Sequence, residues 1–169
     1  MSCILTSGYA LPYRTGQGGT KKKYIGTYSG STTWSVDSGG VITGATGYNK
    51  FFEFAVMPET ILLTEPAEHS RENFTTVVTQ TLTSKLYSTT QTDRDLANLL
   101  AQSAVFVITE DNNGNLFLVG KENGMWMTAS EASAGQTMND PNHISFTFES
   151  RGKYFATQVN SALIATLTA

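Results

Sequence analysis

The sequence predicts a mainly β domain with one α-helix, arranged as a β-sandwich or barrel. Three observations point there. The chain holds 25 Thr and 15 Ser among 169 residues, and threonine suits the pleated surface of a sheet. Short runs alternate apolar and polar side chains, with clusters of Gly, Asn, Asp and Pro between them. Only one segment has the spacing of an amphipathic helix. The length fits a single β-rich domain over residues 1–169, large enough to bury a core, and no internal repeat is evident.

Residues 1–20 hold one Pro and four Gly without periodicity and read as an extended N-terminal arm. Cys3, Ile4, Leu5, Tyr9, Leu11 and Tyr13 give that arm apolar handles, to be buried on its own domain or on a neighbour. A strand follows in KKYIGTYSG, Lys22–Gly30, and then a Gly/Ser/Thr-rich contact loop over residues 29–50. Phe51–Met57 alternates as a strand that Pro58 stops, and Ile61–Thr64 is a short strand before the polar interruption Glu65–Asn73.

The longest strand is Asn73–Ser88. Phe74, Thr76, Val78, Gln80, Leu82, Ser84 and Leu86 lie on its core side. Thr75, Val77, Thr79, Thr81, Thr83, Lys85 and Tyr87 make the other side a hydroxylated one. A long, nearly uncharged strand invites pairing along its edge, which hints at controlled self-association.

The helix begins near Thr92 or Asp93, with Asp93 and Asp95 at its positive end, and fades near Gln102 or Ser103. Leu96, Leu99 and Leu100 form its apolar stripe. Val105–Thr109 and Leu116–Val119 are strands, with turn signals at Asn112-Asn113-Gly114 and again at Asn123-Gly124 before MWMT, so three runs form a meander. Thr128–Asn142 reads as a polar loop, and His143–Arg151 as a strand with Ile144, Phe146 and Phe148 on one side. Lys153–Ala169 reads as a strand and a docked tail.

Charged residues make up 15% of the chain, below the roughly 25% of an average soluble domain. Such a surface opposes contact between copies only weakly. A net charge of −3 argues against a nucleic-acid binder, and the one basic run, Lys21-Lys22-Lys23, reads as a solvated strand end. One cysteine, Cys3, leaves no disulfide framework. No apolar run approaches the ~20 residues of a membrane helix and no secretory signal is seen, so synthesis in the cytoplasm is expected.

The stretch TEDNNGNLFLVGKENGMWMT invites a calcium reading. Counted from Asp111, the first, third, fifth and twelfth places of an EF-hand loop fall on Asp111, Asn113, Asn115 and Glu122. The sixth place, where glycine makes the sharp turn, is Leu116, and β-type runs flank the loop where helices are needed. A hairpin bend is the better reading.

No catalytic, cofactor-binding or metal-binding residue emerges, and an enzyme is not expected. His69 and His143 stand apart in polar segments. There is no GxSxG elbow or phosphate-cradling loop, and GQGG at Gly16 does not join a strand to a helix. Cys3 lacks an identifiable base, and Glu65, Glu68 and Glu72 read as a solvated loop. Trp34 and Trp126 suit a core or an interface better than a sugar-stacking platform.

Three segments carry a family resemblance: SCILTSGYALPYRTGQGGTKKKYIGTY, DRDLANLLAQSAVFVITEDNNGNLFLVGKENGMWMT and SAGQTMNDPNHISFTFESRGKYFA. Together they resemble small virion proteins of tailed bacteriophages, particularly tail-tube-like proteins, including those of phages of Bacteroidetes-type hosts. The resemblance implies a β-sandwich or barrel with one helix, assembled as stacked, usually hexameric rings. It implies a channel for DNA and the tape-measure protein, contacts with other tail proteins, and a place in the virion tail after assembly in the host cytoplasm. It brings no catalytic residue and no cofactor. In that frame the arm and the 29–50 loop are expected at ring-to-ring contacts. The alternatives are another virion component (head-decoration, tail-terminator or baseplate subunit) or a carbohydrate-binding β-module using Trp34 or Trp126.

Overall fold

The computed structural model describes residues 8–10, 16–87 and 90–169. The arm handles Cys3, Ile4, Leu5, Leu11 and Tyr13 lie outside the described residues, as does Ser88. The chain is mainly β, with twelve strands and two helices among the described residues. The strands are β1 (Thr20–Thr27), β2 (Thr33–Val36), β3 (Ile42–Thr46), β4 (Phe51–Phe54), β5 (Leu62–Thr64), β6 (Ala67–Ser70) and β7 (Thr75–Tyr87). They continue with β8 (Val105–Asp111), β9 (Leu116–Val119), β10 (Trp126–Ser133), β11 (His143–Gly152) and β12 (Thr157–Val159). Helix α1 (Gln91–Gln102) joins β7 to β8, and α2 (Ser161–Thr168) ends the chain.

The strands form two sheets. The inner sheet has seven, in the order β2-β3-β12-β9-β8-β1-β4. The outer sheet has the order β10-β11-β7-β5, with β6 also paired to β7. Strand β8 explains this layering. Val105 and Val107 point into the space between the sheets, joining Ile25, Leu82, Phe146 and Phe148, with Leu100 of α1. Phe106 and Ile108 point the other way, joining Tyr24, Ile42, Phe51 and Leu118, with Leu163 and Leu167 of α2. Burial on both faces is why the run is continuously apolar instead of alternating.

The inner sheet is strongly curled. Trp34 on one marginal strand lies 6.4 Å from Phe51 on the other and meets Phe106 edge-on at 5.4 Å. The link from β3 to β4 is only residues 47–50, so the sheet's two margins approach. Helix α2 lies over the concave face; Asn160 caps it by accepting from Ala162 N at 2.9 Å, and Tyr48 OH donates to Thr166 O. Gly26 is required beneath Phe51, since a Cβ there would meet that ring at 2.9 Å.

Several expectations are corrected. The described residues hold two helices rather than one, because Asn160 starts a helix in the supposed docked tail. The 29–50 loop contains the β2–β3 hairpin, turned by Asp37, whose Oδ1 accepts from Gly39 N and Val41 N. The polar interruption contains β6. The first part of the supposed polar loop, Thr128–Ser133, belongs to strand β10, so the third run of the meander bridges β8 at Met125 and then crosses to the other sheet. Helix α1 is capped two residues early by Thr90, whose N–H and hydroxyl both donate to Asp93 Oδ2 at 2.7 Å. Ala97 takes the buried place on its stripe that Leu99 was expected to fill.

Lys23 is not solvated. It is 0% exposed between the sheets; Nζ donates to Ser84 Oγ and lies 4.7 Å from the Phe146 ring centre. Burial lowers its pKa from 10.5 to about 8. Lys21 and Lys22 stay outside, beside Glu110 and Glu53. The unfolded chain therefore binds more protons between about pH 8 and 10.5, and stability rises with pH across that window. Lys23→Met is expected to stabilise the fold at pH 7 by about 1–3 kcal/mol. In chemical unfolding that advantage should shrink as pH approaches 10.5; a difference independent of pH would refute burial as its cause.

Candidate functional site: the outer sheet and its edges

The expected faces of the long strand hold along its centre. Val78, Gln80, Leu82 and Ser84 are buried, while Thr79, Thr81, Thr83 and Lys85 are half-buried on the outward side. Cross-strand register extends that outward face, pairing Thr83 with Thr147, Lys85 with Ser145, Thr81 with Glu149 and Thr79 with Arg151. Thr64 and Leu62 continue it on β5, and Ala129 and Glu131 on β10. The face is mainly hydroxyl, and its charges are partly self-neutralised, since Arg151 Nε donates to Glu149 Oε1 at 3.0 Å. Phe74 departs from the expectation. It sits before the strand at φ 52 and is 95% exposed.

The expected open edge also moves. Strand β7 pairs β11 from Val78 to Tyr87 on one side. On the other side β6 covers Thr75–Val78, Pro66 O accepts from Thr79 N, and β5 covers Thr81–Thr83. The long strand thus finds its partners within the chain. Among the described strands, the free margins of the outer sheet are β10 on one side and β5 with β6 on the other.

These margins differ in direction and height. Every pairing from β10 to β5 is antiparallel, so β10 runs with β7, and β5 and β6 run against it. Through β11, β10 stands level with residues 81–87 of β7, whereas β5 and β6 stand level with residues 75–83. Their centres, Ser84 and Thr79, are five residues apart along the strand axis. Six of the eight residues of β10 are exposed, including Trp126 at 54%. Only Glu131 is charged on that strand.

The remaining candidate residues have structural partners. Asp111 Oδ1 accepts from Asn113 N and Asn115 N at 2.9 and 2.7 Å, and Oδ2 accepts from Asn115 Nδ2. Gly114 at φ 84 completes the bend between β8 and β9. Glu122 lies elsewhere, its Oε2 accepting from Lys153 N at 2.8 Å. The bend also holds the end of the arm, since Asn112 Nδ2 donates to Gly18 O, Asn113 Nδ2 to Gln17 O, and Gln17 N to Asn113 Oδ1. His69 Nδ1 meets Thr76 Oγ1, and His143 Nδ1 meets Pro141 O.

Trp34 packs into the core beside Phe51 and Phe106, leaving Trp126 as the exposed indole. Glu65 is not merely solvated: Oε1 accepts from Gln80 Nε2 and Ala156 N, while Gln80 Oε1 accepts from Gly120 N. That network borders a cavity of about 360 Å³ lined by Gln80, Glu122, Ser150, Tyr154 and Phe155. Glu68 and Glu72 remain exposed. Cys3 lies outside the described residues. No helix among the described residues is long and apolar enough to cross a membrane.

Burial opposes ionisation of Asp111, but the hydrogen bonds from Asn115 and Asn113 outweigh it and hold its pKa below the usual value. Its stabilising contribution is present above the ordinary carboxylate pKa and is lost as pH falls through the lowered folded value. Asp111→Ala should cost about 1–2 kcal/mol in urea unfolding at pH 7, and less under strongly acidic conditions. Millimolar calcium should leave the wild-type midpoint unchanged; a clear upward shift would restore the calcium reading. Compared with protein-family models, curated proteins and solved structures, the chain finds no match.

Proposed function

We propose that the protein is a non-catalytic structural subunit that assembles with copies of itself into rings through the outer sheet, as a phage tail-tube subunit does. The observation that carries the reading is the pair of unlike free margins on one sheet. A neighbour related by rotation, with its strands pointing the same way, brings its β10 antiparallel to β5 and β6. That contact is heterologous, so it propagates from copy to copy, and a rotation that closes gives a ring. Both margins would then gain the backbone partners that they lack among the described strands.

The offset supports closure. Five residues correspond to about 17 Å along the strands, and four strands span about 19 Å across the sheet. Joining such sheets tilts the strands by roughly 40°, within the range of closed barrels. Six copies, the number the family resemblance implies, give a backbone diameter of about 50 Å. Thr79, Thr81, Thr83, Ser145 and Thr147 would face the channel. A hydroxylated wall with few unpaired cations offers DNA phosphates little to bind, which suits passage. Stacked rings of this kind belong in a virion tail, assembled in the host cytoplasm beside the tape-measure and other tail proteins.

Electron microscopy of the purified protein tests the reading. Long tubes are expected. Separate rings favour a head-decoration, tail-terminator or baseplate subunit, and persistent monomers at high concentration remove self-assembly. Ala129→Lys with Ala132→Lys should reduce assembly at least tenfold while changing monomer stability by no more than about 0.5 kcal/mol. Thr79→Lys with Thr81→Lys should lower the infectivity of assembled particles; wild-type infectivity would take this face out of the channel. For the carbohydrate alternative only Trp126 is exposed, and glycan binding abolished by Trp126→Ala would favour it over assembly.

A further inference from the structure

We propose that the groove between α1 and β4 receives the N-terminal segment Cys3–Ser7 of a second copy stacked end-on. This rests on the self-assembly reading and adds the contact that joins one ring to the next. The groove is an apolar hollow of about 130 Å³ lined by Ile25, Phe52, Phe54, Leu96, Leu99 and Leu100. Its volume is close to the roughly 150 Å³ that accepts a benzene ring, so it fits one large apolar side chain. Phe52 is 60% and Leu99 61% exposed, whereas Phe51 on the same strand and Ala97 and Leu100 on the same helix are buried. Strand β4 pairs only β1 among the described strands, leaving one backbone edge open alongside the groove.

The arm supplies an occupant of matching chemistry. Cys3, Ile4, Leu5, Thr6 and Ser7 are uncharged, and they contain the arm's longest apolar run. Gln17 and Gly18 are fixed to the β8–β9 bend, beside the start of β1. The groove lies at the other end of β1, beside Thr27 and Val105. Arm exit and groove are therefore separated by the length of an eight-residue strand, about 26 Å, and face opposite ways along it. Copies stacked in one orientation bring the exit of one against the groove of the next.

Direction favours a neighbouring copy over the same chain. The twelve residues from Leu5 to Gln17 reach about 40 Å, enough for either. An arm folded back along its own β1 would run parallel to β4. An arm entering from the copy below runs antiparallel to β4, the more stable pairing, and matches every other pairing in the inner sheet except β3 with β12. Leu5 enters the hollow between Phe52 and Leu99 while the backbone of the arm extends the sheet.

Cys3 is the chain's single cysteine and provides the test. Leu99→Cys is oxidised under assembly conditions and resolved on non-reducing gels. A ladder of trimers and longer species is expected, at least tenfold more abundant than in a Met138→Cys control on the exposed β10–β11 turn. Phe52→Cys should give the same ladder if the first variant folds poorly. A bridge within one chain, an equal ladder in the control, or no ladder from rings that microscopy shows intact would each overturn the proposal. In the last case ring closure stands and only the arm contact falls. A wild-type chain that sediments solely as a monomer removes both.

Discussion

Strand β8 is buried on both faces, and the layering of the molecule follows from that. Val105 and Val107 need one apolar layer, while Phe106 and Ile108 need another on the opposite side. One sheet and one helix cannot meet both needs. The outer sheet and α1 cover the first face, and α2 with the curled margins of the inner sheet covers the second. The curl lets Trp34 and Phe51, on opposite marginal strands, share the ring of Phe106. Burying each such side chain stabilises the fold by about 1.5–3 kcal/mol, so the central strand and its coverings are strongly coupled.

The outer sheet has a different balance. Its inner side supplies Leu82, Phe146 and Phe148 to the core, and its outer side is threonine and serine with a few charges. Pairing within the chain satisfies β7 completely along its centre and transfers the unsatisfied backbone groups to short or exposed margins. Short strands and a bulge, as in β5, β6 and β10, are common ways of restraining edge pairing. Here they coexist with few charges at the margins, Glu131 being the one charged residue of β10.

Polar side chains mark the joins between layers. Gln80 and Glu65 connect the outer sheet to Gly120 and to the segment before β12. Asp111 and its asparagines turn β8 into β9 and hold the exit of the arm at the same time. Residues that resemble ligands in sequence thus act here on backbone groups. Lys23 is the exception among the joins, a cation placed between sheets with a hydroxyl and aromatic rings around it.

The sequence by itself determined the mainly β class, the long strand with its apolar and hydroxylated sides, the helix after it, and the bend at Asn112-Asn113-Gly114. Those features are encoded locally, in side-chain period, in capping and in tolerance of positive φ. Local signals for the β2–β3 hairpin and for α2 are present as well, in TWSV and VIT around Asp37-Ser38-Gly39-Gly40 and in Asn160 ahead of SALIATLT. Only the tertiary structure decided that Trp126–Ser133 is a strand, because small polar residues become β by pairing with β11 and carry little preference of their own. Likewise, the burial of Lys23, the exposure of Leu99 and the pairing of both edges of β7 depend on which element lies opposite, and residue spacing along a chain does not specify that.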